Sequence, residues 1–235
     1  MAKILFVITA SDHWTLADGT RQPAGFWAEE AIGPYQVFKE AGYEIAAATP
    51  GGVPPTADAL SLTAEFNGGE DGAERMRTAL REATELAHPM RIEDVNIDDY
   101  VAVFYPGGWG PMEDLPDNAA SGRLLTEWLA SGKPVSLVCH GPAALLATIG
   151  PDGTSPFSGY RLTGPVQRRG EAERSRGPRE VAAAGPARGR PQGRLPRGRP
   201  IHPARPGRPH PLHRPEPVLG RPPRPGTGQG AELTG

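Results

Sequence analysis

Along the first two thirds of the chain, apolar and polar positions fall into blocks of two kinds. Four short runs, at residues 4–9, 43–48, 100–105 and 135–138, are almost continuously apolar and partly β-branched. That is the pattern of strands buried on both faces of a parallel sheet. Between and after them, residues 26–41, 72–86, 119–130 and 142–149 repeat their apolar side chains with a helical period. Strand and helix in alternation predict a parallel sheet with helices on both faces, an α/β domain of flavodoxin-like layout. Two of the strands run into Gly/Pro turns, Thr49-Pro50-Gly51-Gly52 and Tyr105-Pro106-Gly107-Gly108-Trp109-Gly110. Open α/β sheets hold their ligands at the carboxyl ends of the strands, so the chemistry is expected in these turns.

Composition divides the chain. The formal charge of -2 over 235 residues averages two unlike parts. Residues 1–164 carry 10 Lys+Arg against 22 Asp+Glu, whereas residues 165–235 carry 15 Arg, no Lys and 5 Glu. The second part holds 15 Pro and 12 Gly and has no Phe, Tyr, Trp, Met, Asp or Asn. Such a segment cannot bury enough apolar surface to offset its chain entropy. The expected organisation is an α/β domain over 1–164, incomplete at its C-terminal side, and a disordered Arg/Pro/Gly-rich tail over 165–235. A basic arm can bind nucleic acid, but this one lacks lysine and interleaved aromatics, and no nucleic-acid partner is expected. A single cysteine excludes an intramolecular disulfide framework, and no Cys/His set has zinc spacing. The first apolar run is too short to span a bilayer. A cytoplasmic protein with no membrane association and no metal is the expectation.

The stretch Val135-Ser136-Leu137-Val138-Cys139-His140-Gly141-Pro142-Ala143-Ala144 is the most informative. A buried strand runs into Cys-His-Gly-Pro, and an Ala/Leu helix follows at once. This is the layout of a nucleophile elbow. A thiol there faces the start of a helix, whose free N–H groups and partial positive charge favour the thiolate. Gly141 permits the tight turn and Pro142 suits the first turn of a helix.

Three separated motifs, Gly-Phe-Trp-Ala-Glu-Glu at 25–30, Tyr-Pro-Gly-Gly-Trp-Gly-Pro-Met-Glu-Asp-Leu at 105–115 and Cys-His-Gly-Pro-Ala at 139–143, occur in an order that resembles the ThiJ/PfpI superfamily. The nearest likeness is to its heat-shock, glyoxalase III-like branch, described as type 1 (class I) glutamine amidotransferase-like. The resemblance covers essentially all of residues 1–164. It implies that Cys139 is the nucleophile, that His140 is its neighbouring catalytic histidine, and that a glutamate of the first helix hydrogen-bonds the thiol. Of Glu29 and Glu30, helical geometry favours Glu30, which shares a face with Trp27, Pro34, Val37 and Phe38. A carboxyl on an apolar stripe has a raised pKa and can donate a proton. Gly107 and Gly108 are expected to offer N–H groups to a developing oxyanion, with Gly141 and Trp109 completing the substrate pocket. Family members usually carry histidine where this chain has Trp109, a departure that alters the pocket wall. Asp12, His13 and Trp14 follow the first strand and are candidates for the mouth of the same pocket. The adjacent Glu113 and Asp114 have no histidine near them in sequence, and a metal is not expected there.

The tail begins where the resemblance calls for a further strand and a third catalytic acid. Its codons, read one base out of phase, permit family-like peptides in family order. Val166-Gln167-Arg168-Arg169-Gly170 permits Phe-Ser-Ala-Glu-Glu, and the segment from His213 to Gly220 permits Thr-Gly-Gln-Asn-Pro-Ser-Ser-Ala. A single-base slip near 164–166 in a GC-rich gene is the expected origin of the tail. On that reading the acid that orients His140 falls where the chain has Arg169 and Gly170, and an apolar sheet edge is left uncovered.

The resemblance implies a cofactor-independent glyoxalase III-like enzyme that converts a small 2-oxoaldehyde such as methylglyoxal into a 2-hydroxy acid, as in stress-linked methylglyoxal detoxification. Its partner is then a small aldehyde, with a homodimer possible. A stress chaperone, a peptidase or amidase of the same superfamily, and an inactive frameshifted product remain as alternatives.

Overall fold

The computed structural model describes residues 1–160. The proposed boundary at 164/165, the tail and the displaced-frame segments lie outside the described residues. The strands of the sheet are β1 (Lys3–Val7), β4 (Glu44–Thr49), β5 (Met90–Arg91), β6 (Ala102–Tyr105) and β7 (Val135–Leu137), and a separate hairpin is formed by β2 (His13–Thr15) and β3 (Arg21–Pro23). The helices are α1 (Ala28–Glu40), α2 (Glu70–Glu82), α3 (Thr84–Ala87), α4 (Pro111–Asp114) and α5 (Ala119–Ser131).

All four pairings of the main sheet are parallel, and the order is β5-β4-β1-β6-β7. The chain winds outward from β1 through β4 to β5, then crosses back to β6 and β7. That reversal is a topological switch point between β1 and β6, and open sheets hold their ligands at the carboxyl ends of the strands at such a point. β1 explains why the sheet is buried on both sides. Leu5 and Val7 point into a core built with Val103, Tyr105, Leu124, Leu125 and Trp128, while Ile4, Phe6 and Ile8 point into a second core with Ile32, Ile45, Leu86 and Phe104. The period-2 alternation of a strand thus feeds two layers, one under α5 and one under α1 and α3. No helix among the described residues is long and apolar enough to cross a membrane.

The four strand runs and the helical runs read from sequence all appear, with two differences of kind. The Ala/Leu segment after Cys139 is a 3-10 helix, Gly141–Thr148, and not an α-helix. It is apolar all round and wedged against α5, where a Cβ added to Gly122 would stand 2.1 Å from the Ala147 carbonyl oxygen. The second difference is the set of strands β2, β3 and β5. They are two or three residues long, and every residue of β3 and β5 is exposed. β7 forms one edge among the described residues, with Ser136 exposed and Val135 and Leu137 half-buried.

Candidate active site

Three segments converge at the carboxyl ends of β1 and β6. The first follows β6, where Gly108 adopts φ +100° and lets the chain double back under α1. A Cβ at Gly108 would lie 2.4 Å from the Gly25 carbonyl oxygen, so this approach needs glycine. The Trp27 N–H donates to the Gly107 carbonyl at 3.0 Å and the Gly110 N–H to the Gly25 carbonyl at 3.0 Å, which ties the turn to the entry of α1. Ser61, itself buried, accepts the Ala28 N–H through its hydroxyl at 3.1 Å and satisfies one of the free donors at that helix end.

The second element is α1 itself. Glu29 is exposed and Glu30 half-buried. Glu30 Oε2 accepts the Gly107 N–H at 2.9 Å, and the carboxylate also takes a hydrogen bond from the Cys139 thiol. The expected apolar stripe around Glu30 is narrower than its helical spacing suggests, because Val37 is 61% exposed. α1 continues through Pro34, which has no N–H to give the Glu30 carbonyl one turn back.

The third turn carries the thiol. Cys139 has φ +51°, alone among the non-glycine described residues in having a positive φ. A side chain in the left-handed region costs about 1–2 kcal/mol, and such strain gathers at functional positions. The turn is closed by the Gly141 N–H donating to the Val138 carbonyl at 2.7 Å. Cys139 Sγ lies 3.4 Å from His140 Nδ1. A Cβ built on Gly107 would meet Cys139 Cβ at 2.6 Å, Glu30 Oε2 at 2.7 Å and the His140 backbone nitrogen at 2.7 Å. Gly107 is therefore the point where the three elements touch.

These contacts reassign the glycines. The N–H of Gly107 is spent on Glu30 and that of Gly141 on Val138, so neither is aimed at an oxyanion. The backbone bonds that favour the charged thiolate come from Gly108 and His140.

The electrostatics also differ from a simple helix-start thiolate. Burial, reinforced by the Glu30 carboxylate, pushes the Cys139 thiol up to about 11. Burial likewise raises Glu30 above the usual carboxylate range, against the pull of its bonds from Cys139 and Gly107. Each side chain's titration bears on the other's through the hydrogen bond they share. Burial lowers His140, partly offset by a hydrogen bond to the Gly108 backbone. A bond that favours the charged ring is one the ring donates, so the neutral imidazole has a nitrogen free to act as a base.

The residues after β1 play other parts. His13 Nδ1 pairs with Asp12 Oδ1 at 2.8 Å, and its Nε2 lies 3.6 Å from Glu113 Oε1, so its ring is engaged in the hairpin and not with the thiol. Trp14 is buried and stacks on Trp109. Glu113 accepts the Thr15 N–H and hydroxyl at 2.9 and 3.0 Å. Asp114 accepts the Thr9 hydroxyl and the Ala10 and Ser11 N–H groups at 2.7, 2.7 and 3.2 Å. The adjacent carboxylates of α4 hold the loop and hairpin that follow β1. Among the described residues no group of three or more acidic, His or Cys side chains is arranged to hold a metal.

Residues 23–164 match the profile of the DJ-1/PfpI family. The chain is 29% identical over 165 residues to glyoxalase 3 of Candida albicans, covering 70% of this chain and 69% of that protein. It is 27% identical over 162 residues to the protein/nucleic acid deglycase HchA of Pseudomonas aeruginosa, covering 68% of this chain and 56% of the relative. It is 29% identical over 141 residues to the glutathione-independent glyoxalase HSP31 of Saccharomyces cerevisiae, covering 60% and 58%. The chain thus spans little more than half the length of the deglycase and of the yeast glyoxalase. Among solved structures, the crystal structure of glyoxalase III from Candida albicans superposes with a TM-score of 0.53 at 28% identity, covering 67% of this chain and 63% of that one.

Proposed function

The chain belongs to the DJ-1/PfpI family, and from that premise we propose that it is a cysteine-dependent glyoxalase that converts a small 2-oxoaldehyde into a 2-hydroxy acid without a cofactor. The observation that carries this reading is the left-handed Cys139 at φ +51° with both Glu30 and His140 beside its sulfur. The glyoxalases among its relatives support the substrate class.

In this reading the Cys139 proton passes to Glu30 and the sulfur adds to the aldehyde carbon. Glu30 returns the proton to the new oxygen, giving a hemithioacetal. The Gly108 and His140 N–H groups stabilise the charge that develops on that oxygen. Neutral His140 removes the hydrogen from the same carbon. The electron pair left behind forms an enediol as the neighbouring carbonyl oxygen takes a proton from solvent. His140 exchanges its proton with solvent, and reprotonation of the second carbon by His140, with loss of the hydroxyl proton from the first to solvent, leaves a thioester of the 2-hydroxy acid. Water cleaves it and restores the thiol. One carbon is oxidised as its neighbour is reduced, so the sum is aldehyde plus water and no external electron acceptor is needed.

The test is lactate formation from methylglyoxal by the purified chain, its Cys139→Ala variant and its Glu30→Gln variant. Turnover abolished in Cys139→Ala supports the proposal, and full turnover in that variant removes it.

A further inference from the structure

The turn after β6 carries an indole where the family resemblance leads one to expect an imidazole. Trp109 stacks on the His140 ring, with centroids 4.4 Å apart and planes tilted by 31°. Its indole also stacks on Trp14, at 4.8 Å and 12°. Three rings therefore form a column, and its last member is the side chain whose Nδ1 lies 3.4 Å from the sulfur.

Both supports of the column are held. Trp14 is only 8% exposed and sits in the centre of β2, paired with Gln22 of β3. The following residue, Thr15, donates twice to Glu113. Trp109 lies between Gly108, whose backbone passes against Gly25, and Gly110, whose N–H donates to the Gly25 carbonyl. A Cβ at Gly110 would stand 2.7 Å from Thr9 Cγ2 and 2.9 Å from Thr9 Oγ1, so the turn is seated directly on the end of β1.

We propose that Trp109, braced by Trp14, is the positioning residue for His140 and sets the plane of the imidazole so that Nδ1 stays beside the Cys139 sulfur. An imidazole turns about two single bonds, and its nitrogen reaches the sulfur over only a narrow range of both. An indole face 4.4 Å away leaves the ring free to slide in its own plane and blocks rotation out of it. Aromatic pairs contribute about 0.5–1.5 kcal/mol beyond the area they bury, and here that preference acts directly on ring orientation. Among the described residues, the groups against the imidazole are the Cys139 thiol from its own turn and the Gly108 backbone and Trp109 from the turn after β6, and Glu30 of α1 is hydrogen-bonded to the thiol. An indole orients the ring without adding a negative charge. A carboxylate in the same role would favour the imidazolium and take away the free base.

The kinetic readout rests on the glyoxalase reading; the spectroscopic one does not. The full chain and its Trp109→Phe, Trp109→Ala and Trp14→Ala variants are compared by proton–carbon correlation of the histidine Cε1–H groups, with His140→Asn identifying the resonance. The indole ring current displaces the His140 signal from the position of a solvated imidazole. Trp109→Ala returns it to that position, Trp109→Phe retains most of the displacement, and Trp14→Ala loses part of it. In methylglyoxal turnover, Trp109→Ala lowers kcat by about tenfold or more with KM within about twofold, as expected when a catalytic group is misaligned. Trp109→Phe stays within about threefold of the parent in kcat. A His140 signal unmoved in Trp109→Ala overturns the proposal, as does a rise in KM with kcat unchanged, which would make Trp109 a substrate wall. Should Trp109→Ala fail to fold, the Trp14→Ala and Trp109→Phe spectra decide. If the parent itself does not turn over methylglyoxal, the glyoxalase reading fails and the ring-current comparison still tests the column.

Discussion

Glu30→Gln separates the two things the carboxylate does to the thiol. Glu30 Oε2 accepts the Gly107 N–H at 2.9 Å, and a glutamine oxygen can keep that bond at nearly the same size. The variant loses the negative charge beside the sulfur and gains an N–H that can point at it, and both changes favour the thiolate. With the thiol at about 11 rather than its ordinary 9.0, the thiolate fraction at neutral pH is lower by about a hundredfold, since each unit is a factor of ten. Burial is the first cause of that rise and persists in the variant, so removing Glu30 recovers only part of it, on the order of tenfold. The assay is the rate of iodoacetamide alkylation of Cys139 at pH 7.5, followed by intact mass. Alkylation speeds up by about tenfold, while lactate formation falls by about a hundredfold or more because no group returns the proton to the substrate oxygen. Opposite movement of the two rates is the signature of a shared proton. Alkylation no faster than in the parent, in a variant with an unchanged circular dichroism spectrum, would refute the reasoning.

Three further outcomes follow from the same geometry. Cys139→Gly unfolds at a higher denaturant concentration than Cys139→Ala, by about 1 kcal/mol, because glycine carries no penalty at φ +51°; at an ordinary position the order is reversed, and denaturant titration of the two inactive variants reads it. The raised Glu30 contributes stability that is fully present below its ordinary 4.5 and is lost as the pH rises through its higher folded value. Glu30→Gln therefore melts above the parent at pH 7, and thermal scans show the gap closing below about pH 4. Sequencing the DNA that encodes residues 160–185 finds codons compatible with Phe-Ser-Ala-Glu-Glu in the displaced frame, if a slip accounts for the composition change after residue 164; incompatible codons remove that explanation.

Much of the layout can be read directly from the chain because its strands bury both faces. The runs around Leu5-Phe6-Val7 and Val103-Phe104-Tyr105 feed two cores and have no polar alternation to disguise them. The hairpin and β5 escape notice for the opposite reason: Arg21, Gln22, Met90 and Arg91 are exposed and leave no burial pattern. The choice of Glu30 over Glu29 follows from helical spacing, since the entry of α1 turns one toward Gly107 and the other to solvent. The direction of the thiol shift does not follow from the elbow motif. A motif reports the helix start and its N–H groups, whereas the shift is set by the sulfur's burial and by a carboxylate that is distant in sequence. Likewise the stack of Trp14 on Trp109 joins strand β2 to the turn after β6, beside the bond by which Glu113 holds Thr15, a pairing that spacing alone does not reveal.

The most direct test of the account is the conversion of methylglyoxal by the full chain in deuterium oxide, with the product followed by proton NMR. Proton transfer through His140 and an enediol predicts lactate that carries solvent deuterium at its second carbon, and none formed by Cys139→Ala. Lactate retaining only hydrogen at that carbon, or formed equally well without the Cys139 sulfur, would contradict it.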